Sequence, residues 1–571
     1  MPGTITSDQT TIEDAEVVAD YLVLGTFASA QALNNDIKVQ GTNAINGRVS
    51  ANSAWSLATT GAALDLTVSG RHVWIWLRLL TWPSADTQAN GGLGISISSD
   101  VTPTLTGVSP SDGPTNSKTW YLGGSDTDIT TGWVCYCVDP TGTPDLTLGT
   151  PVMSSVDRVG LRCKVTGTIS NNTRNVQHDI IRYGTGLTVK DGTSGSPAAF
   201  ADIATADALN ANAWGVVTQQ SGVYFINGKL SFGTAAQTAL TYFKDADRVL
   251  VYPAFPVATT FYEMKLAGAA SFITTFELGT LSGSLTEGGC IVRGATGAIW
   301  TLTANAANTV LHLYGCALSQ MRRGLLNSSS DVLNTSFTGC GDLDANGADI
   351  TGCTFQDLAT ASPISATYAI TVTVASILTG NTYIDCAPAV LWNVNADTNS
   401  RLDNSSFISG GTGHGIELGA NCPTSISLVD VLFTGYGGTP GSNPTSSSGS
   451  ANAGVYNNSG KTITINVSGG TTPAIRNGAG ATTVVVAAIT ITFTGLVAGT
   501  EIRVFETTGG AEVAGTESTA GTTFAASLQA STNYFVVALA VGYLYVRVTG
   551  LTFTSTQDFP INLRVDPNFS N

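Results

Sequence analysis

Five stretches in the middle of the chain share one pattern of apolar and polar positions. They read Val332-Leu-Asn334-Thr-Ser336-Phe337, Ile350-Thr-Gly352-Cys-Thr354-Phe355, Leu378-Thr-Gly380-Asn-Thr382-Tyr383, Leu402-Asp-Asn404-Ser-Ser406-Phe407 and Leu428-Val-Asp430-Val-Leu432-Phe433. Their starts lie 18, 28, 24 and 26 residues apart. The first position is a branched aliphatic, the third is Asn, Gly or Asp, the fifth is Ser or Thr in four copies, and the sixth is always aromatic. Asn, Gly and Asp are the residues that tolerate a left-handed backbone, so the third position predicts a bend. One short strand cannot bury an aliphatic and an aromatic side chain by itself. Stacking the copies in register buries both, which is the logic of a solenoid. Irregular spacing fits a parallel β-helix, where extra residues leave as loops between coils. An ordinary β-sandwich with similar strands is the plainer alternative. A leucine-rich horseshoe does not fit, because no copy is followed by a helical stretch.

The flanks alternate without the repeat. Ala63-Leu-Asp-Leu-Thr-Val68, Val73-Trp-Ile-Trp-Leu-Arg-Leu79 and Arg158-Val-Gly-Leu-Arg-Cys-Lys-Val165 read as strands, separated by turns rich in Pro, Gly, Asp and Ser. The pattern predicts an all-β chain in four parts. Residues 1–20 are an arm that is flexible or ordered by a partner, and 21–200 are a jelly-roll-like β-sandwich. Residues 201–480 are a right-handed parallel β-helix, with Val223 to Phe232 as its first rungs, and 481–571 are a small β-sandwich. The stretch from Trp55 to Arg78 resembles concanavalin and laminin-G jelly rolls. The stretch from Gly499 to Gly510 resembles transthyretin-like sandwiches.

Composition agrees with an all-β reading. Charged residues make up 11 % of the 571, against roughly 25 % in ordinary globular proteins. Gly contributes 64 residues. The net charge of −16 argues against general nucleic-acid binding. No basic-then-apolar leader stands at the start, and the most apolar stretch, 483–495, is too short to span a membrane. The nine cysteines include no Cys-x-x-Cys pair. Cys135 and Cys137 share a strand face, and Cys340 and Cys386 each follow a repeat aromatic by three residues. All are expected as free thiols made in a reducing cytoplasm.

Candidate chemistry is sparse. Gly192-Thr-Ser194-Gly-Ser-Pro197 resembles the nucleophile loop of chymotrypsin-like proteases, which would need His72 and Asp100 beside Ser194; a linker is the simpler reading. Asp342, Asp344, Asn346 and Gly347 match the start of an EF-hand-like calcium loop, but Cys353 stands where the closing Glu belongs. Paired acids on the outside of a coil would suit glycan hydrolysis, with Asp357, Asp385, Asp397, Asp403, Glu417 and Asp430 as candidates. Trp74 and Trp76 share one strand face and could stack on sugars, though a sandwich interior accounts for them better. No catalytic residue, cofactor or metal is therefore assigned.

Asp179-Ile-Ile-Arg-Tyr-Gly-Thr-Gly-Leu-Thr-Val189, the phrases starting at Phe200 and Val223, and Ile561-Asn-Leu-Arg-Val-Asp-Pro-Asn568 together resemble structural proteins of tailed bacteriophages, over roughly residues 180–571. That resemblance implies a non-enzymatic, β-helical virion protein: a spike, fibre or capsid decoration on head or tail. It further implies a homotrimer bound to other virion proteins through its N-terminal region, assembled in the bacterial cytoplasm, and in contact with host glycans. The rival is a tail-spike depolymerase with a carboxylate pair on the β-helix. In either case the repeat reads as scaffold, and function is expected on loops, termini and flanking sandwiches.

Overall fold

The computed structural model describes the chain apart from residues 1–2, 37, 39–40, 80–89, 91, 110, 123–133, 165–175, 210–215, 227, 252–261, 282–286, 289, 295–299, 362–363, 387, 397–401, 412, 438–447, 450–451, 531 and 570–571. The chain forms two compact units, Met1–Asp349 with Cys353–Ala369, and Ile350–Gly352 with Ile370–Asn571.

The first unit opens with an antiparallel sheet. Its strands follow the order Val134–Val138, His72–Leu79, Val176–Gly184, Ala44–Leu64, Val156–Cys163, Leu93–Ser98, Ser117–Leu122 and Leu146–Leu148. Tyr136, on the first of these, donates its hydroxyl to the Trp120 carbonyl at 2.9 Å, on the last but one. The sheet therefore rolls over on itself, and Ile75, Leu77, Ile95, Ile97, Val159 and Leu161 fill the space between. This is the sandwich that the alternating strands predict.

The expected arm contains two strands. Thr4–Ser7 pairs antiparallel with Gly186–Lys190, and Thr10–Glu13 pairs with Val176–Gly184. Alternating Thr and Ile let the segment complete two strand edges that would otherwise expose backbone donors and acceptors.

Parallel strands then coil through three faces. On the first face Gly186–Lys190, Lys229–Phe232, Tyr262–Leu266, Trp300–Thr303, Met321–Leu325 and Asp342–Asp344 follow one another in register. On the second run Val223–Ile226, Arg248–Val251, Ile291–Gly294, Ala317–Ser319, Ser336–Thr338 and Thr354–Gln356. On the third run Thr241–Asp245, Thr274–Leu281, Thr309–Tyr314 and Ser330–Leu333. The first strand, at Gly186, precedes the expected boundary at 201. The upstream end is closed by a helix the sequence reading lacks, Phe200–Leu209. Its Phe200 ring lies 5.0 Å from Phe243 and covers the first aromatic layer of the coil.

The second unit holds parallel strands of the same kind, such as Ile370–Val372, Val390–Trp392, Ile416–Leu418, Val455–Asn457 and Ile475–Asn477. Its long strand Thr482–Thr494 pairs parallel with Thr462–Ser468 and then antiparallel with Thr523–Gln529. One strand, just past the expected boundary at 480, is thus shared by the coil and the C-terminal β-domain. The latter packs Ile491, Phe493, Ile502, Val504, Leu528, Tyr534 and Val536 into one core.

The repeated phrase turns a corner between two faces. Its third residue is left-handed in all five copies: Asn334 (φ 48°), Gly352 (φ 66°), Gly380 (φ 68°), Asn404 (φ 60°) and Asp430 (φ 52°). The aromatics stack in register. Phe337 and Phe355 lie 4.7 Å apart and 1° from parallel, Tyr383 and Phe407 4.7 Å and 12°, Phe407 and Phe433 5.2 Å and 13°. The fourth position, without a rule in the sequence, is buried in every copy: Thr335, Cys353, Asn381, Ser405 and Val431. Its polar members bond inward to the coil. Asn381 donates its side-chain amide to the Ile350 carbonyl at 2.7 Å, and Ser405 donates to the Leu378 carbonyl at 3.1 Å. Because a Cβ is disfavoured in the left-handed region, Asn404→Ala should cost about 1–2 kcal/mol, and Asn404→Gly much less. Urea denaturation of the two variants checks this; equal losses would show that the side chain, not the backbone, sets the residue.

The eight described cysteines, Cys137, Cys163, Cys290, Cys316, Cys340, Cys353, Cys386 and Cys422, are buried. Cys316, Cys340, Cys353 and Cys386 donate their thiols to backbone carbonyls inside the coil. Burial pushes the Cys340 thiol up to about 12, so it packs as an inert neutral group. Among the described residues no helix is long and apolar enough to cross a membrane.

Candidate functional site

The third face of the first unit carries a row of charged side chains on its solvent side. Inward positions are largely apolar: Phe243, Phe276 and Leu311 continue into Ser330, and Asp245 leads into Leu278, Leu313 and Val332. The residues between them point outward, and the register places Lys244 beside Glu277, Glu277 beside His312, and His312 beside Asp331. Successive rungs stand about 4.8 Å apart, so four ionisable groups share a line about 15 Å long.

The row is closely bonded. The Lys244 ammonium meets Glu277 Oε1 at 2.6 Å, and the Tyr242 hydroxyl donates to Glu277 Oε2 at 3.1 Å. His312 Nδ1 lies 3.8 Å from Glu277 Oε2, and its Nε2 lies 3.5 Å from Asp331 Oδ2. The Tyr314 ring stacks on the imidazole, 5.2 Å away and 25° from parallel. The Glu277 side chain is 8 % exposed and that of Asp331 is 48 % exposed. Burial, with the Glu277 charge beside it, pushes the Tyr242 phenol above its ordinary value and keeps it a neutral donor. The arrangement is an imidazole between two carboxylates, one fixed from below and one facing water. Such a set can orient an imidazole and move protons along it.

None of these residues is among the sequence candidates. The signal was present as an ionisable residue between apolar neighbours in Phe276-Glu-Leu278 and Leu311-His-Leu313. It went unread because all four fall before the repeat begins at Val332. The row lies on the strands of the coil.

The sequence candidates take other places. Glu417 joins a second row, with His414 Nε2 at 3.1 Å and Asn458 Nδ2 at 2.9 Å on its two oxygens. Tyr456 sits beside it, with the His414 ring 4.8 Å away and the Arg476 guanidinium 4.8 Å over its ring. That row holds one carboxylate with both oxygens engaged, which reads as a structural ladder. Asp357 and Asp385 are exposed corner residues with left-handed backbone (φ 56° and 52°). Asp430 is a corner too, and the Asp403 carbonyl accepts from Gly380 N–H at 2.8 Å. Asp397 lies outside the described residues.

The protease triad does not assemble. Ser194 sits in an exposed turn closed by Thr193 and Ser196. His72 is buried at a strand start, where burial lowers its basicity against the field of Asp139. Asp100 accepts from Thr115 Oγ1 at 2.6 Å and Asn116 Nδ2 at 2.9 Å, and three strands separate it from the His72 strand in the sheet order. The calcium loop does not form either, because Asp342–Asp344 is a strand of the first face. Asp342 Oδ1 accepts from Thr367 N–H at 2.8 Å and Tyr368 N–H at 2.9 Å, and Asp344 pairs with Arg323 at 2.6 Å. Among the described residues no group of three or more His, Cys, Asp or Glu could hold a metal ion. Trp74 and Trp76 are buried, and the Trp74 indole donates to Gln9 Oε1 at 3.1 Å.

No family model and no curated protein matches the chain. Among solved structures it is similar to the catalytic domain of a GH87 alpha-1,3-glucanase in complex with tetrasaccharides, at 9 % identity, over 85 % of this chain and 96 % of that chain, with a TM-score of 0.17. The matched chain is a catalytic domain, and on this finding the expectation of a non-enzymatic protein is withdrawn. At that TM-score the likeness carries nothing further about reaction or substrate.

Proposed function

We propose that this chain cleaves a polysaccharide by hydrolysis, with Glu277 and Asp331 as its acid–base pair. The observation that carries the reading is the row itself: two carboxylates separated by the width of His312, on the outer face of a β-helix. Hydrolysis with inversion needs one carboxyl to protonate the leaving oxygen and a second to take a proton from water, roughly 6.5–9.5 Å apart; retaining enzymes hold theirs about 5–5.5 Å apart. One intervening imidazole suits the wider spacing. Asp331, half in solvent, takes the role of proton donor to the glycosidic oxygen. Glu277, fixed by Lys244 and Tyr242, draws a proton from water through His312. A long flat coil face suits a polymer better than a small ligand, since no deep pocket is needed to hold an extended chain.

The sequence resemblance to phage virion proteins supports the finer part of the proposal. The polymer is a bacterial surface polysaccharide, and the chain is carried on a virion as a homotrimer attached through its N-terminal region. Incubating the protein with capsular or O-antigen polysaccharide and measuring new reducing ends tests the reaction. NMR of the first-formed anomer tests inversion. Binding without any new reducing ends, across acidic and neutral glycans, would sink the hydrolytic reading.

A further inference from the structure

The N-terminal residues are held firmly at one end and weakly at the other. Asp8 accepts from Thr185 N–H at 2.9 Å, Gly186 N–H at 3.0 Å and the Thr185 hydroxyl at 2.7 Å. Arg71 donates to the Asp8 carbonyl at 2.6 Å. Further along, Glu13 stands opposite Ile181 on the strand Val176–Gly184 and is 8 % exposed. Its Oε1 accepts from Ala15 N–H at 3.2 Å.

The groups around Glu13 are mostly acids. Asp14 comes from its own segment and Asp20 from the short turn Val18–Asp20. Tyr21, from the next strand, buries a hydroxyl with no hydrogen-bond partner. Asp179, His178 and Arg182 come from the strand that Glu13 joins. Burial keeps His178 neutral, with its basicity lowered to about 3, and the Tyr21 ring packs 4.9 Å from it. The Arg182 charge is met by the fields of Asp207, Asp14 and Asp179, and its Nη1 donates to Thr11 Oγ1. Among the described residues no cation therefore stands against the Glu13 carboxylate, and a negative charge there is disfavoured by the cluster as well as by burial.

We infer that Thr10–Glu13 forms a pH-gated clip, seated firmly while Glu13 carries a proton and loosened once it ionises. Loosening uncovers the edge of Val176–Gly184 at residues 181–183, while Asp8 holds Thr4–Ser7 in place. An open strand edge offers unpaired backbone groups to any passing strand.

The direction of the effect follows from the proton. Burial first, then Asp14 and Asp20, raise the seated carboxyl from 4.5 to about 7. The seated form thus binds the proton more tightly than the released form. Its extra hold is full below pH 4.5, falls as pH rises to 7, and stays low above that.

Hydrogen exchange on the full chain tests the clip. After correction for intrinsic rates, amides of Thr10–Glu13 and of residues 181–183 opposite them should lose protection on the order of fiftyfold between pH 5 and pH 8, and those of Thr4–Ser7 should change less. Amides of His72–Leu79 serve as the internal control and should not change. Glu13→Gln should keep the segment protected at both pH values. Equal protection of the wild-type segment at pH 5 and pH 8 overturns the inference, as does the same pH dependence in Glu13→Gln. If Glu13→Gln fails to fold, Asp20→Asn provides the second arm: it removes one facing charge that raises the seated carboxyl, so the loss of protection should be smaller and complete at lower pH. An unmoved transition counts against the clip.

Discussion

Replacing Glu277 with glutamine is expected to lower polysaccharide cleavage by about two to four orders of magnitude, the range that a positioned acid–base group supplies. Glutamine keeps the shape and still accepts from Tyr242, but it cannot take a proton from His312. Asp331→Asn should produce a loss of similar size, and the double variant should lose little more, because residues acting as one unit are not additive. The Lys244 ammonium, 2.6 Å from Glu277, loses its counter-charge in Glu277→Gln, so stability must be measured alongside activity. Lys244→Met separates the two effects: it removes the same ion pair while keeping the carboxylate. The expected result is modest loss of activity in Lys244→Met and near-complete loss in Glu277→Gln at matched melting temperature. Activity in Glu277→Gln within a few-fold of wild type would remove this row from the mechanism.

The largest stability effect is expected at Phe407. Its ring is fully buried and lies between Tyr383 at 4.7 Å and Phe433 at 5.2 Å, both nearly parallel to it. Phe407→Ala should cost about 3–5 kcal/mol, since close-packed neighbours collapse only partly into the space left. Stacked aromatics add roughly 0.5–1.5 kcal/mol beyond their buried area. In a solenoid each coil rests on its neighbours, so the loss should spread along the stack. Urea denaturation followed by fluorescence measures the cost, and hydrogen exchange at Thr382–Ile384 and Leu432–Thr434 measures the spread. Ile408, the next residue, faces outward and is 37 % exposed. A Phe407→Ala loss no greater than that of Ile408→Ala would mean the stack is not what holds the coils together.

The stack was readable in the sequence because it repeats. Each phrase places an aliphatic, a bend and an aromatic at fixed offsets, and the fold has one way to bury all of them. The five left-handed third positions show how local that information is, since the bend is set by the residue itself. The inward polar residues Asn381 and Ser405 were not readable in the same way. Their burial depends on carbonyls from neighbouring coils, at Ile350 and Leu378. The helix Phe200–Leu209 was missed for a related reason. Its Ala-rich sequence favours a helix, but the need for a cap exists only once the first aromatic layer is in place. The calcium-like run failed because alternation, not ligand spacing, governs Asp342-Leu-Asp344: it makes a strand whose two carboxylates find donors on their own side of the sheet.

The sequence by itself determined the all-β class, the coiling middle, the corner residues and the buried aromatic and aliphatic layers. Those features are periodic, and a side chain's inward or outward place follows from period-two alternation in a strand. Only the tertiary structure decided which outward residues meet. Lys244, Glu277, His312 and Asp331 are 33, 35 and 19 residues apart along the chain, and the lengths of the intervening loops hide their common register. Parallel pairing brings each to within one rung of the next, and it is that rung spacing which makes four scattered side chains a single acid–base row.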